Sequence, residues 1–190
     1  MIISDKDSTR QGILAARARQ PVDIRHRMND KLQAHVARLV ERLAPSTIAA
    51  YAPIGSEPGG PELVPLLAER CQTLLLPVVR EQDLSWATYA GTLVQTRGLN
   101  EPAGPQTRTT TLSEAEVVLV PALAVDHNGI RLGRGAGYYD RALLAARSLT
   151  VALVYDDELV PELPRESHDV PVAAVITPSG GWRELDLALT

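Results

Sequence analysis

EVVLVPALAVDHNGIRLGRGAGYYDRALLAAR, residues 116 to 147, joins a short apolar run to a turn, a glycine loop and an Arg/Ala-rich stretch. The run EVVLVP is apolar without alternation, which is how a strand covered on both faces reads. It ends at Pro121. Asp126 and Asn128-Gly129 then mark a turn, and a helix is expected to start near Tyr138. A buried strand that feeds a loop and then a helix is the unit from which open α/β sheets are built.

The same signature recurs on both sides. TIAAYAP (residues 47 to 53), TLLLPVV (73 to 79), LSWATYA (84 to 90), LTVALVY (149 to 155) and VAAVIT (172 to 177) are further strand candidates. ELVPLLAER, from Glu62, reads as a helix between two of them. Before Pro45 the period is different. Ser4 and Asp7 resemble a capping box for a first helix that runs to about Arg19. Ile24, Met28, Leu32, Val36, Leu39, Val40 and Leu43 recur every three or four positions along a second. The expected architecture is an α/β three-layer sandwich with a largely parallel central sheet. One domain spans 1-190, its helical segment 4-44 packed on an α/β core 45-190. Residues 91 to 113, rich in Thr, Gly and Pro, form the one long irregular stretch.

Composition narrows the classes of function. Hydrophobic residues at 45% and charged residues at 22% describe a folded domain. A net charge of −4 argues against nucleic acid as a partner, so any phosphate chemistry must be local. No eighteen-residue uncharged apolar run is present, which gives no reason to expect a membrane-spanning helix. Cys71 is the lone cysteine and suits a reducing compartment, so the expected location is cytoplasmic. Monomer or weak homo-oligomer is the expected state.

The glycine loop carries the chemistry. Gly133, Gly135 and Gly137 let backbone N–H groups approach an anion, Arg131 and Arg134 supply forked donors, and the following helix N-terminus adds positive potential. The dinucleotide fingerprint needs a glycine where Tyr138 stands, and the P-loop needs a Gly-Lys-Ser/Thr absent here. Asp140 beside an anion nest calls for a bridging cation, and Mg²⁺ binds through one or two carboxylates together with nucleotide phosphates. Trp86 and Tyr89 offer ring-stacking surface, with core packing the favoured alternative.

VPALAVDHNGIRLGRGAGYYDRAL resembles the signature of the 5-formyltetrahydrofolate cyclo-ligase family. The resemblance extends to Lys6-Asp7-Ser8-Thr9-Arg10, to TIAAYAPIGSE ending at Glu57, to TLLLPVV, to Glu101-Pro102 and to ESHDVPVAAVIT. It implies a fold like that of sugar-phosphate isomerases and CoA transferases. It also implies ATP- and Mg²⁺-dependent closure of 5-formyltetrahydrofolate, a reduced folate, to the 5,10-methenyl form, with ADP and phosphate released. The residues implied for ATP are Lys6, Arg10, Arg131, Leu132, Gly133, Arg134, Gly135, Ala136, Gly137, Tyr138 and Tyr139. Those implied for the folate are Glu57 and Arg134 through Tyr138. Arg134 is the implied catalytic group, and Asp140 and Asp169 the implied metal ligands.

Departures lie mainly at the folate end. Pro58-Gly59-Gly60 stands where an acid and threonine often follow the glutamate, and Ala173 where a further aspartate is usual; Ala136 removes a lysine found in some loops. The alternatives are an ATP-dependent paralogue for another N-formyl or amide-like substrate, and a non-catalytic nucleotide-binding module.

Overall fold

The computed structural model describes residues 6–80, 83–96, 99–103 and 112–186. In chain order the elements are α1 (Lys6–Arg19), α2 (Val22–Leu43), β1 (Thr47–Ala49), α3 (Leu63–Ala68), β2 (Thr73–Arg80), β3 (Asp83–Thr88), β4 (Leu93–Thr96) and β5 (Leu99–Pro102). Then follow β6 (Val117–Pro121), β7 (Ala124–Asp126), β8 (Arg131–Leu132), α4 (Tyr138–Leu143), β9 (Leu149–Leu153), β10 (Leu159–Val160), β11 (Ala174–Thr177) and β12 (Gly181–Glu184).

The main sheet runs β12-β11-β9-β6-β1-β2-β3. Its interior pairings are parallel, and β3 and β12 close the two edges antiparallel. The apolar runs owe their lack of alternation to this arrangement. Ile48, Leu74, Leu76, Leu119, Leu153 and Ile176 point to a core shared with α2 and α3. Their neighbours Ala49, Leu75, Val118, Val120, Ala152 and Val175 point to a second core on the opposite face, with Leu143 of α4. Both faces of each strand are dry, so period two vanishes from the sequence while remaining in the structure. The result is the expected three-layer α/β sandwich.

Helix α2 uses its stripe as anticipated in the middle and not at the ends. Leu32, Val36, Leu39 and Val40 are buried, but Ile24 and Leu43 are exposed at 36% and 42%. Ala44 stops the helix in the left-handed region at φ 46, its N–H bonded to Val40 O, and Pro45 prevents resumption. Ser4, the expected cap of the first helix, lies outside the described residues, and α1 is described from Lys6.

Two expectations need correction, and the favoured core packing of Trp86 and Tyr89 holds. The stretch from 91 to 113 is not wholly irregular, because β4 and β5 pair antiparallel in register from Leu93↔Pro102 to Thr96↔Leu99; residues 104–111 lie outside the described residues. Trp86 and Tyr89 are three apart and so serve opposite faces: Trp86 packs in the second core, edge-on to Tyr139 at 6.2 Å, and Tyr89 against the first. The turn after Pro121 is built from small strands, β7 pairing with β8 and with β10 in a separate three-stranded sheet. Asp126, 1% exposed, ties this sheet together: its carboxylate accepts from the amides of Asn128, Ile130 and Leu163.

Candidate active site

A cavity of about 630 Å³ opens beyond the carboxyl ends of β1 and β6, where α/β sheets place their ligands. Its size falls in the usual range for a small-molecule site. One wall is α1, presenting Lys6, Arg10 and Arg17; another is the glycine loop; the turn after β1 brings Glu57; and the segment from Pro164 to Asp169 closes a side. Residues from distant parts of the chain therefore share one space, as expected for Lys6, Arg10, Glu57, Asp140, Asp169 and the loop from Arg131 to Tyr139.

The loop has the conformation its glycines permit. Gly135 sits at φ +100 and Gly137, which caps α4, at φ +68, both in the region L side chains avoid. The Arg10 guanidinium lies over Gly135, where an added Cβ would stand 3.6 Å from Arg10 Cζ, and Arg10 Nε donates to Gly133 O at 2.9 Å. Helix α4 is only six residues long, so its dipole adds little. The positive potential over the loop comes from side chains.

Every cation in this space has an internal partner. Lys6 Nζ lies 3.0 Å from Asp169 Oδ2 and 3.4 Å from Glu166 Oε2. Arg10 also pairs with Asp7. Arg134 Nη2 reaches across to Glu57 Oε1 at 3.0 Å, with the arginine side chain 53% exposed and the glutamate 12%. Arg131, only 7% exposed, donates to Asp140 Oδ1 at 2.8 Å and to Val170 O at 2.9 Å. These pairs differ in how readily they open. An exposed pair is worth little, so Arg134 is free to exchange Glu57 for an incoming anion. Arg131 is held by burial and is bonded to Asp140 and to the Val170 backbone. Its Nε is buried with no partner among the described residues.

Asp140 and Asp169 converge on the same side of the cavity but not as a bare pair. Val170 N also donates to Asp140 Oδ1, at 3.4 Å, and Glu166 N donates to Asp169 Oδ2 at 2.7 Å. Burial works against the charge on Asp169. The Glu166 amide, Lys6 and His168 outweigh it and hold the carboxyl below its ordinary range. Carboxylates placed beside a glycine loop fit Mg²⁺, a hard cation that takes oxygen ligands. Among the described residues, the group whose donor atoms lie within 4.8 Å of one another is Glu166, His168 and Asp169, without Asp140.

On the opposite wall, Glu57 is held by its own turn. Its Oε2 accepts from Ile54 N at 3.0 Å, which leaves Oε1 directed at Arg134. Tyr139 lies in the pocket wall, its hydroxyl buried without a partner among the described residues. Burial foremost, then Glu57, raises that phenol, opposed by Arg131.

Sequence reasoning missed Arg17 and Glu158. Arg17 is 3% exposed; its Nε and Nη2 meet Glu158 Oε1 and Oε2 at 2.7 and 2.8 Å, and Nη2 also donates to Ala122 O at 2.8 Å. This fork pins α1 to the sheet, and α1 carries Lys6 and Arg10 over the loop. Asn100, on β5, was missed as a pocket residue because its hairpin was not foreseen. Cys71 is half-buried just beyond α3 and packs against the first core, away from the cavity lining.

Comparison with known proteins gives the chain's relatives. The 5-formyltetrahydrofolate cyclo-ligase of Mycolicibacterium smegmatis is 42% identical over 186 residues, covering 93% of this chain and 95% of that protein. The Haemophilus influenzae protein of the same name is 27% identical over 80% of this chain and 86% of its own length. The NMR structure of Aquifex aeolicus 5,10-methenyltetrahydrofolate synthetase superposes with a TM-score of 0.82 at 28% identity, over 97% of this chain and 94% of that one. The Mycoplasma pneumoniae 5,10-methenyltetrahydrofolate synthetase, at 19% identity and a TM-score of 0.74 over 90% and 97% of the two chains, shares the fold. With the 5-formyltetrahydrofolate cyclo-ligase family model matching residues 2–178, the chain belongs to that family.

Proposed function

We propose that this protein is an enzyme that closes 5-formyltetrahydrofolate to 5,10-methenyltetrahydrofolate at the expense of ATP, releasing ADP and phosphate. The observation that carries the reading is the Arg134–Glu57 contact at 3.0 Å, which joins the anion-binding loop to the acid on the opposite wall of one cavity. A reaction between two bound substrates needs their binding groups within one enclosed space.

The chemistry follows from the partners available. The loop backbone from Gly133 to Gly137, with Lys6 and Arg10 above it, holds the triphosphate. Glu57 accepts hydrogen bonds from the amide-and-amine edge of the pterin, an exchange that releases Arg134. The freed guanidinium turns to the phosphoryl group as it passes to the formyl oxygen. N10 then attacks the formyl carbon and loses its proton, and the C–O bond breaks as the ring closes, the proton leaving with the inorganic phosphate. No protein nucleophile is required. Phosphoryl transfer depends mainly on positioning and charge neutralisation, and the side chains present offer both. Asp140 and Asp169, with Glu166 beside them, would hold Mg²⁺, which supplies charge neutralisation at the phosphates. Lys6, which pairs with Asp169, would add a further positive charge beside the phosphates. The cysteine content suits action in the cytoplasm.

The test is turnover with 5-formyltetrahydrofolate and other N-formyl compounds side by side, reading ADP and the near-ultraviolet absorbance of the methenyl product. The reading predicts ADP and methenyl product in equal amounts with 5-formyltetrahydrofolate. ADP formation with another N-formyl substrate alone would favour a paralogue, and no turnover with any would leave a binding module.

A further inference from the structure

The turn Pro58-Gly59-Gly60, which directly follows Glu57, is held by hydrogen bonds to Asn29, Gln33 and Tyr51. We propose that Asn29 and Tyr155 are positioning residues that set folate recognition by locking this turn behind Glu57. The inference rests on the reading of Glu57 as the pterin contact.

Asn29 lies on α2 and is 7% exposed. Its Oδ1 accepts from Gly59 N and from the Tyr155 hydroxyl, each at 3.1 Å. The same hydroxyl lies 3.4 Å from Ser56 O. One helical turn beyond Asn29, Gln33 Nε2 donates to Gly59 O at 2.7 Å, and the Tyr51 hydroxyl donates to Pro58 O at 2.6 Å. Ser56, Pro58 and Gly59 are thus each held from outside the turn, and Glu57 sits among them with one carboxylate oxygen spent on Ile54 N.

The glycines are matched to this grip. A Cβ on Gly60, at φ +63, would stand 2.7 Å from Asn29 Nδ2, and one on Gly59 would stand 2.8 Å from Leu63 Cδ2. Asn29 cannot step aside, because two hydrogen bonds hold its amide. Residues with side chains in place of these glycines would not fit against Leu63 of α3 and Asn29 of α2. The altered turn and Asn29 form one unit.

Tyr155 ties that unit to the ATP side. Its N–H donates to Glu158 Oε2 at 2.8 Å and its ring lies under Arg17, 5.6 Å from Cζ. Burial, opposed by Arg17, pushes the phenol up to about 12, so it remains a donor at neutral pH. Neither Asn29 nor Tyr155 lines the cavity. They act through Glu57, whose acceptor oxygen must stay within a fraction of an ångström of its place to discriminate a pterin edge.

The experiment measures KM for 5-formyltetrahydrofolate and for Mg-ATP in Tyr155→Phe, Gly60→Ala and Asn29→Ser, beside Glu57→Gln as a control. Losing one hydrogen bond in the support, Tyr155→Phe should raise the folate KM about three- to tenfold and leave the ATP KM within about twofold. Gly60→Ala should raise the folate KM similarly, and Asn29→Ser, which removes the oxygen that accepts from both Gly59 N and the Tyr155 hydroxyl, should raise it at least as much. If Glu57→Gln raises the folate KM while Tyr155→Phe and Gly60→Ala do not, the positioning role is overturned. A parallel rise of both KM values with a lowered melting temperature would assign the network to stability alone. An unchanged folate KM in Glu57→Gln would overturn the pterin contact itself, and the inference with it.

Discussion

Removing Arg17 should be among the most damaging single changes outside the two sheet-facing cores. Arg17→Met takes away the fork to Glu158 and the bond to Ala122 O, leaving a carboxylate 6% exposed with only the Tyr155 amide as a partner. Burial disfavours the Arg17 charge and Glu158 more than restores it, so the guanidinium pKa is raised. Breaking a buried pair from one side costs about 3–5 kcal/mol, because the remaining charge is stranded. That is a large share of the roughly 5–15 kcal/mol that stabilises a typical domain. The double variant Arg17→Met/Glu158→Leu strands nothing and should recover most of the loss. Urea unfolding of both variants measures this. A single-variant loss below about 1 kcal/mol, or a double variant as unstable as the two singles added together, would refute the role of the pair.

Arg134→Ala should lower kcat by about 10²- to 10³-fold, the scale of removing one donor from a developing charge. With its side chain 53% exposed, stability should change by no more than about 0.5 kcal/mol; unchanged turnover would remove it from the chemistry. Asp169 has a depressed carboxyl pKa in the folded protein. The stability it provides is therefore present above the ordinary carboxylate pKa and is lost as pH falls through and below that range. Asp169→Asn should flatten the acid limb of a melting temperature against pH profile, and an unaltered limb would contradict the Lys6 contact.

How far the sequence is legible follows from what each signal depends on. The strands were readable because β1, β2, β6, β9 and β11 are dry on both faces, a property that shows in local composition. The glycine loop was readable because Gly135 and Gly137 sit at backbone angles that other residues resist. Hairpin β4–β5 was not, since Val94 is 45% exposed and Leu93 only half-buried, leaving no apolar pattern among threonines and glycines. Arg17 was hidden in an Arg/Ala-rich helix where a basic residue reads as a solvated face, and its partner Glu158 lies 141 positions away. The pairing of Arg131 with Asp140 was invisible for a related reason. Sequence reveals a cation suited to phosphate, but not that its Nη2 donates to the Asp140 carboxylate.

The account stands on a single cavity that holds both substrates, with Arg134 changing partner between them. A crystal structure with 5-formyltetrahydrofolate and a magnesium complex of a non-hydrolysable ATP analogue tests this most directly. The account predicts the triphosphate over Gly133 to Gly137, the pterin on Glu57, and the Arg134 guanidinium moved from Glu57 to the terminal phosphate. Both ligands bound with Arg134 still on Glu57, or the nucleotide seated away from the glycine loop, would contradict it.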